Sequence, residues 1–298
     1  MSKLTWTLLL VLSMACIATI YPITKHLNGV VDPYLLAFAR FFVASIALLP
    51  IIIYRRLLIL PSVKELALFG FIAVCAVAPT IIIVVGVAYT NSIVASILIN
   101  TNPLIVALIA PFLIGEEVTR VKTLGLAVGF AGVLFVVLNG QNPLADVNSA
   151  YLWGSLILLF GALLSGLNKT YSRNLVRKYD GLYVTFFAVV LGSMALALVV
   201  GFRHDFAQVL QFTPTTIFSL LAIGVVSTAF PWVVWSSSLK HLDVHVAAAF
   251  NLLVPVFATL YSFAFFDESL TLWMLGGLLL TSVGIYLIQR EETIPIAT

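Results

Sequence analysis

The chain has 298 residues, of which 62% are hydrophobic and 9% charged, with a net charge of +3 and a mean hydropathy of +1.14. Soluble domains carry about 25% charged residues, so a water-soluble core cannot hide this much apolar surface, and the solvent must be lipid. Two cysteines make no disulfide framework, and so small a net charge is no footprint for nucleic acid.

A bilayer-spanning helix needs ~20 apolar residues. Stretches of that kind, bounded by charges, prolines or polar clusters, predict helices at 4–24, 33–54, 65–87, 93–114, 121–138, 151–172, 181–202, 215–238, 244–266 and 272–289. The first is longer than a signal-peptide core of ~7–15 residues and shows no clear cleavage site, so it is read as a retained helix. Links such as 89–92 and 267–271 are short, which makes neighbouring helices antiparallel hairpins. The apolar runs are continuous, unlike the alternating segments of a membrane barrel.

Pro103, Glu116, Thr119, Gly125 and Gly132 reappear as Pro255, Glu268, Thr271, Gly277 and Gly284, each at the same offset (255 − 103 = 152). Matches in register over this distance imply an internal duplication, with halves at 1–139 and 150–290 joined by a polar link. Lys and Arg sort by loop. With the N-terminus inside, Lys3, Arg55, Arg56, Lys64, Arg120 and Lys122 are cytoplasmic, as are Arg173, Arg177, Lys178, Lys240 and Arg290. Only Lys25 and Arg203 lie outside, so both termini are expected in the cytoplasm. Five helices per half is an odd number, so the halves enter the membrane from opposite sides. Inverted repeats of this kind place a substrate near the midplane between them.

Polar side chains inside such helices are functional candidates. Asn100 and Asn102 precede Pro103, and Asn251 precedes Pro255. Proline frees a carbonyl one turn earlier, and the broken turn can line a cavity. These amides either face a substrate or join helices by hydrogen bonds. Lys169, beside Asn168, either reads an anionic group or snorkels to the headgroups. Arg40 lies seven residues past Pro33, about 10 Å into its helix at 1.5 Å per residue. It is either functional or a partner for helix-end carbonyls or Asp32. Pro79 and Thr80 mark the third helix; Ser227, Thr228, Pro231, Trp232 and Trp235 mark the eighth. Trp232 and Trp235 share a face suited to an amphipathic solute, although Trp235 also fits an interfacial aromatic belt.

Tyr89 and its repeat equivalent His241 stand at hairpin ends as gate or interface residues. Glu116 and Glu268, with Glu117 and Asp267, precede helices whose N-terminal dipoles they favour. No carboxylate lies mid-span, and the interior cations Arg40 and Lys169 point to a substrate bearing carboxylate or phosphate. Gly125, Gly129 and Gly132 of the fifth helix, and Gly276, Gly277 and Gly284 of the tenth, predict a close-packed pair that is rigid or dimerising. No nucleophile–base pair, phosphate loop or metal motif is present, so no enzyme and no cofactor is expected.

The duplicated proline, the Gly115-Glu116 and Asp267-Glu268 pairs, the paired glycines, Trp6 and Trp153, Lys25 and Arg40 together resemble the drug/metabolite transporter superfamily, specifically its EamA-type members. The resemblance covers nearly the whole chain. It implies an all-α integral membrane protein of ten transmembrane helices in two inverted five-helix EamA repeats. It also implies a cavity among helices one, three, four, six, eight and nine, and transport of small metabolites, often export of amino acids. One departure is Ile20-Tyr21-Pro22, where the family often carries an Asn-Phe pair. The expected substrate lining is Thr80, Asn100, Asn168, Lys169, Trp232, Trp235 and Asn251, with Arg40, Tyr89, Pro103, Glu116, Pro255 and Glu268 structural or gating. Expected partners are a small metabolite, the lipid bilayer of a bacterial inner membrane, and a second copy forming a homodimer. Uptake or exchange of anions such as organophosphates, and a non-transporting scaffold or sensor, stand as alternatives.

Overall fold

The computed structural model describes residues 3–27, 29–57, 61–89, 98–138, 140, 142, 149–203, 205–266 and 271–292. Every regular element among them is a helix. The first predicted span is two helices, α1 (Lys3–Ala18) and α2 (Ile20–Leu27). They part at Thr19, whose N–H and hydroxyl both donate to the Cys16 carbonyl, at 3.2 and 2.7 Å. Pro22 explains the break, since it has no N–H for the Ala18 carbonyl and its ring crowds that group.

Asp32 opens α3 (Pro33–Tyr54): its Oδ1 accepts from the N–H groups of Tyr34 and Leu35 at 2.8 and 3.3 Å. Pro33 takes the first helical position, where no donor is needed. After α4 (Val63–Tyr89) comes α5 (Asn102–Ile114), which ends on left-handed Gly115 at φ 69°. Then follow α6 (Arg120–Leu138), α7 (Ser149–Lys178) and α8 (Gly181–Arg203). α7 outruns its predicted end at 172, its last turn carrying Arg177 and Lys178 against the negative end of the dipole. α9 (Pro214–Gly224) passes through a π turn, Val225–Ala229, into α10 (Phe230–Ser238). α11 (Val244–Ala249), a 3-10 turn at Phe250–Leu252, α12 (Leu253–Phe266) and α13 (Leu272–Glu292) follow. Among the described residues eight helical stretches are long and apolar enough to cross a membrane, and Asn102–Ile114 and Leu272–Ile288 are shorter apolar helices. The start of the fourth predicted span, 93–97, lies outside the described residues.

The chain packs as two compact units, Met1–Ile81 with Ser172–His241 and Ile82–Tyr171 with Leu242–Thr298, so each takes helices from both sequence halves. In the first, α3 lies along α8, and Leu27, Val31, Leu35, Val200, Leu220 and Ile223 form a buried apolar cluster. In the second, α6 and α13 form the tightest helix pair, as their glycines predict. A Cβ at Gly277 would stand 2.5 Å from the Gly132 carbonyl oxygen, and one at Gly284 2.5 Å from that of Gly125. Only hydrogen fits at those points, and dispersion between the two backbones replaces the hydrophobic drive that lipid does not supply.

Candidate functional site

Two cations stand well inside apolar helices, Arg40 in the first unit and Lys169 in the second. In the first unit the arrangement starts with Pro231, which has no N–H for the carbonyl of Ser227 and whose ring presses on it. The helix relaxes into the π turn, where the Phe230 N–H donates to the Val225 carbonyl, five residues back. The Thr228 hydroxyl spans the same interval, donating to the Ile223 carbonyl at 3.0 Å. Ser227 and Thr228 are both fully buried. The Ser227 hydroxyl shares a 2.7 Å hydrogen bond with Thr19, and Arg40 Nε donates to Thr228 Oγ1 at 2.8 Å.

Arg40 therefore rests on a hydroxyl, and among the described residues it makes no ion pair. Asp32 is engaged elsewhere, capping α3 and receiving Arg203 Nη2 at 3.4 Å. The Trp232 ring meets Phe41 edge-on at 5.4 Å, and its carbonyl accepts the Thr185 hydroxyl at 3.1 Å. The Trp235 Nε1–H is buried without an acceptor among the described residues. Thr80 is half-buried next to Pro79 inside α4.

In the second unit Lys169 projects from α7, and its ammonium donates to Asn102 Oδ1 at 2.6 Å. Asn102 is 5% exposed and passes the chain of bonds on, its Nδ2 donating to the Ala162 carbonyl at 3.2 Å. The snorkelling expectation for Lys169 gives way: the ammonium is tied to an amide in the first turn of α5, nine residues short of the end of α7 at Lys178. Among the described residues Lys169 also makes no ion pair. Asn102 is the residue that sequence reasoning underweighted. Its signal was its place directly before Pro103, where the first helical turn leaves backbone donors open and a side chain can settle.

Asn100 and Asn168 are half-buried in this unit. Asn251 is half-buried too, its Nδ2 donating to the Ala248 carbonyl at 2.9 Å in the 3-10 turn. Both central helices break just before their proline, at the turn over 100–101 before Pro103 and at Phe250–Leu252 before Pro255. The cause is common: neither proline can donate to the carbonyl one turn back.

Glu116 also serves a distant element: its buried Oε2 accepts the Val244 N–H at 2.8 Å and so caps α11. Asp243, the N-cap of α11 by position, makes no capping bond of its own because it receives Lys122 Nζ at 3.1 Å. His245 lies 1% exposed between them, with Nδ1 3.6 Å from Glu116 and Nε2 3.8 Å from Asp243. Tyr89 ends α4 at 52% exposure. Glu268 falls outside the described residues.

Apolar helices that can cross a bilayer, broken at paired prolines, define a multi-pass membrane protein. The EamA-like transporter family matches the chain twice, over residues 4–138 and 152–290. The chain belongs to that family and is a membrane transporter. It is 30% identical over 288 residues to an uncharacterized transporter of Archaeoglobus fulgidus, an alignment covering 96% of this chain and 97% of that one. It is 29% identical over 206 residues to the uncharacterized transporter YoaV of Bacillus subtilis, 69% of each chain. The WAT1-related protein At3g02690, chloroplastic, of Arabidopsis thaliana is 26% identical over 277 residues, 90% of this chain and 65% of that one. A crystal structure superposes with a TM-score of 0.80 at 16% identity, covering 98% of this chain and 99% of its own, a likeness of fold.

Proposed function

We propose that the protein is a secondary transporter that exports amino acids or related small metabolites by alternating access. Residues 1–139 and 150–290 act as the two inverted repeats, with both termini in the cytoplasm. One observation carries the substrate class: Arg40 and Lys169 sit in apolar helices and, among the described residues, bond only to neutral groups. A cation in lipid-embedded helices is costly unless something compensates it, and a substrate carboxylate supplies that compensation. The expected lining residues Thr80, Asn100, Asn168, Trp232, Trp235 and Asn251 carry hydroxyls, amides and aromatic surface suited to such a solute, and the buried Trp235 donor has no acceptor among the described residues.

The same two cations support a second reading, exchange of organophosphates. A thermal-unfolding screen of the detergent-purified protein separates the two. A ligand bound by the folded state alone raises the unfolding temperature. Amino acids should do so on the first reading and phosphate esters on the second. Stabilisation by neither class would remove both.

A further inference from the structure

The first unit contains a cavity of about 550 Å³ whose walls include none of Arg40, Thr228 or Trp232. Leu48 and Ile51 of α3 line it together with Val225, Phe230 and Val233 of the π turn and α10. Ile51, Val225 and Phe230 are 44%, 41% and 38% exposed, so this apolar wall is open. A wall of this kind suits hydrocarbon.

The rim is different. Arg55, Asp180, Lys240 and His241 border the same cavity. Lys240 Nζ stands 3.8 Å from Asp180, which balances that pair, and Arg55 makes no ion pair among the described residues. The rim therefore carries surplus positive charge. Trp6 borders the cavity as well. Its ring lines the cavity, stacked on His241 at 4.9 Å, and is 8% exposed. Its Nε1–H is buried and has no acceptor among the described residues.

We infer that this crevice holds one anionic phospholipid. The phosphate accepts from Arg55, with Lys240 and the Trp6 ring beside it, and an acyl chain runs along Ile51, Val225 and Phe230. A soluble metabolite would use the rim and leave the wall bare; a zwitterionic lipid would bring its phosphate to Arg55 but also a cationic amine to a rim already in positive surplus. Basic pockets between membrane helices are known to favour such headgroups.

Native mass spectrometry of the full chain in detergent tests this, with dioleoyl phosphatidylglycerol and dioleoyl phosphatidylethanolamine offered at equal concentration. The wild type should retain the anionic lipid about tenfold more. The variant Arg55→Gln/Lys240→Gln, which alters two exposed side chains, should bring the two lipids to parity. Val233→Trp, which fills the cavity without touching its charge, should release both and serves as the deciding arm if the charge variant does not fold. Glycerol 3-phosphate should not displace the bound lipid. Equal retention of the two lipids by wild type, unchanged retention in either folded variant, or displacement by glycerol 3-phosphate would each overturn the assignment.

Discussion

The substitution Lys169→Met separates a ligand-reading lysine from a structural one. The ammonium is held by a single amide oxygen at 2.6 Å and, among the described residues, by no carboxylate. Losing a hydrogen bond with a charged partner costs about 1.5–3 kcal/mol, and stranding the Asn102 oxygen costs about 1–3 kcal/mol more. Removing the buried charge returns a desolvation penalty of several kcal/mol. These terms oppose each other, and methionine preserves most of the stem, so fold stability should change by no more than ~2 kcal/mol. Transport should respond differently. Losing a close partner for a substrate carboxylate costs about 2–5 kcal/mol, or roughly 30-fold to several thousand-fold in affinity. Thermal unfolding in detergent and counterflow of a carboxylate substrate in proteoliposomes read the two quantities on one preparation. A fall in unfolding temperature of more than about 10 °C, well beyond the scale of ~2–4 °C per kcal/mol, with transport lost only in proportion to folded protein, would make Lys169 a structural residue and refute the reasoning.

Gly277→Val places a branched side chain where a Cβ would already stand 2.5 Å from the Gly132 carbonyl. It should destabilise the α6–α13 pair by at least about 1–3 kcal/mol, seen as easier unfolding in mixed detergent; a neutral effect would contradict the packing described. Glu116→Ala strands the Val244 N–H and should cost about 1–2 kcal/mol, whereas Glu116→Gln keeps an acceptor oxygen and should recover most of it. Equal losses in thermal unfolding would show that charge, not capping, is what matters. Thr228→Val removes the partner of Arg40 at nearly constant volume. The predicted loss is about 1–3 kcal/mol of stability, and Thr228→Ser should restore it; a valine variant as stable as wild type would mean that Arg40 is satisfied without that hydroxyl.

Hydropathy located the helices because it is a local property. The stretch Pro33–Tyr54 has the predicted bounds, and the glycines of α6 and α13 announced a close contact through their spacing. What the sequence hid depends on partners far along the chain. Pro22 and Pro231 were visible, but their backbone answers, a break at Thr19 and a π turn at Val225–Ala229, follow from local strain that hydropathy averages away. Asn102 looked weaker than Asn100 because nothing local shows that Lys169, 67 residues on, points at it. Glu116 looked like a cap for its own neighbour, yet its acceptor reaches Val244 at a separation of 128 residues. The polar run after 172 looked like a helix end because it is hydrophilic, while α7 continues to Lys178.

The central claim is that this protein moves a small anionic or zwitterionic solute across a bilayer. Purified protein in proteoliposomes preloaded with a mixture of amino acids and phosphate esters tests it directly, by the release of each solute into the medium over time. Protein-dependent release of at least one amino acid, abolished by Lys169→Met in folded protein, is the expected result. Release no faster than from protein-free liposomes for every solute in the mixture would contradict it.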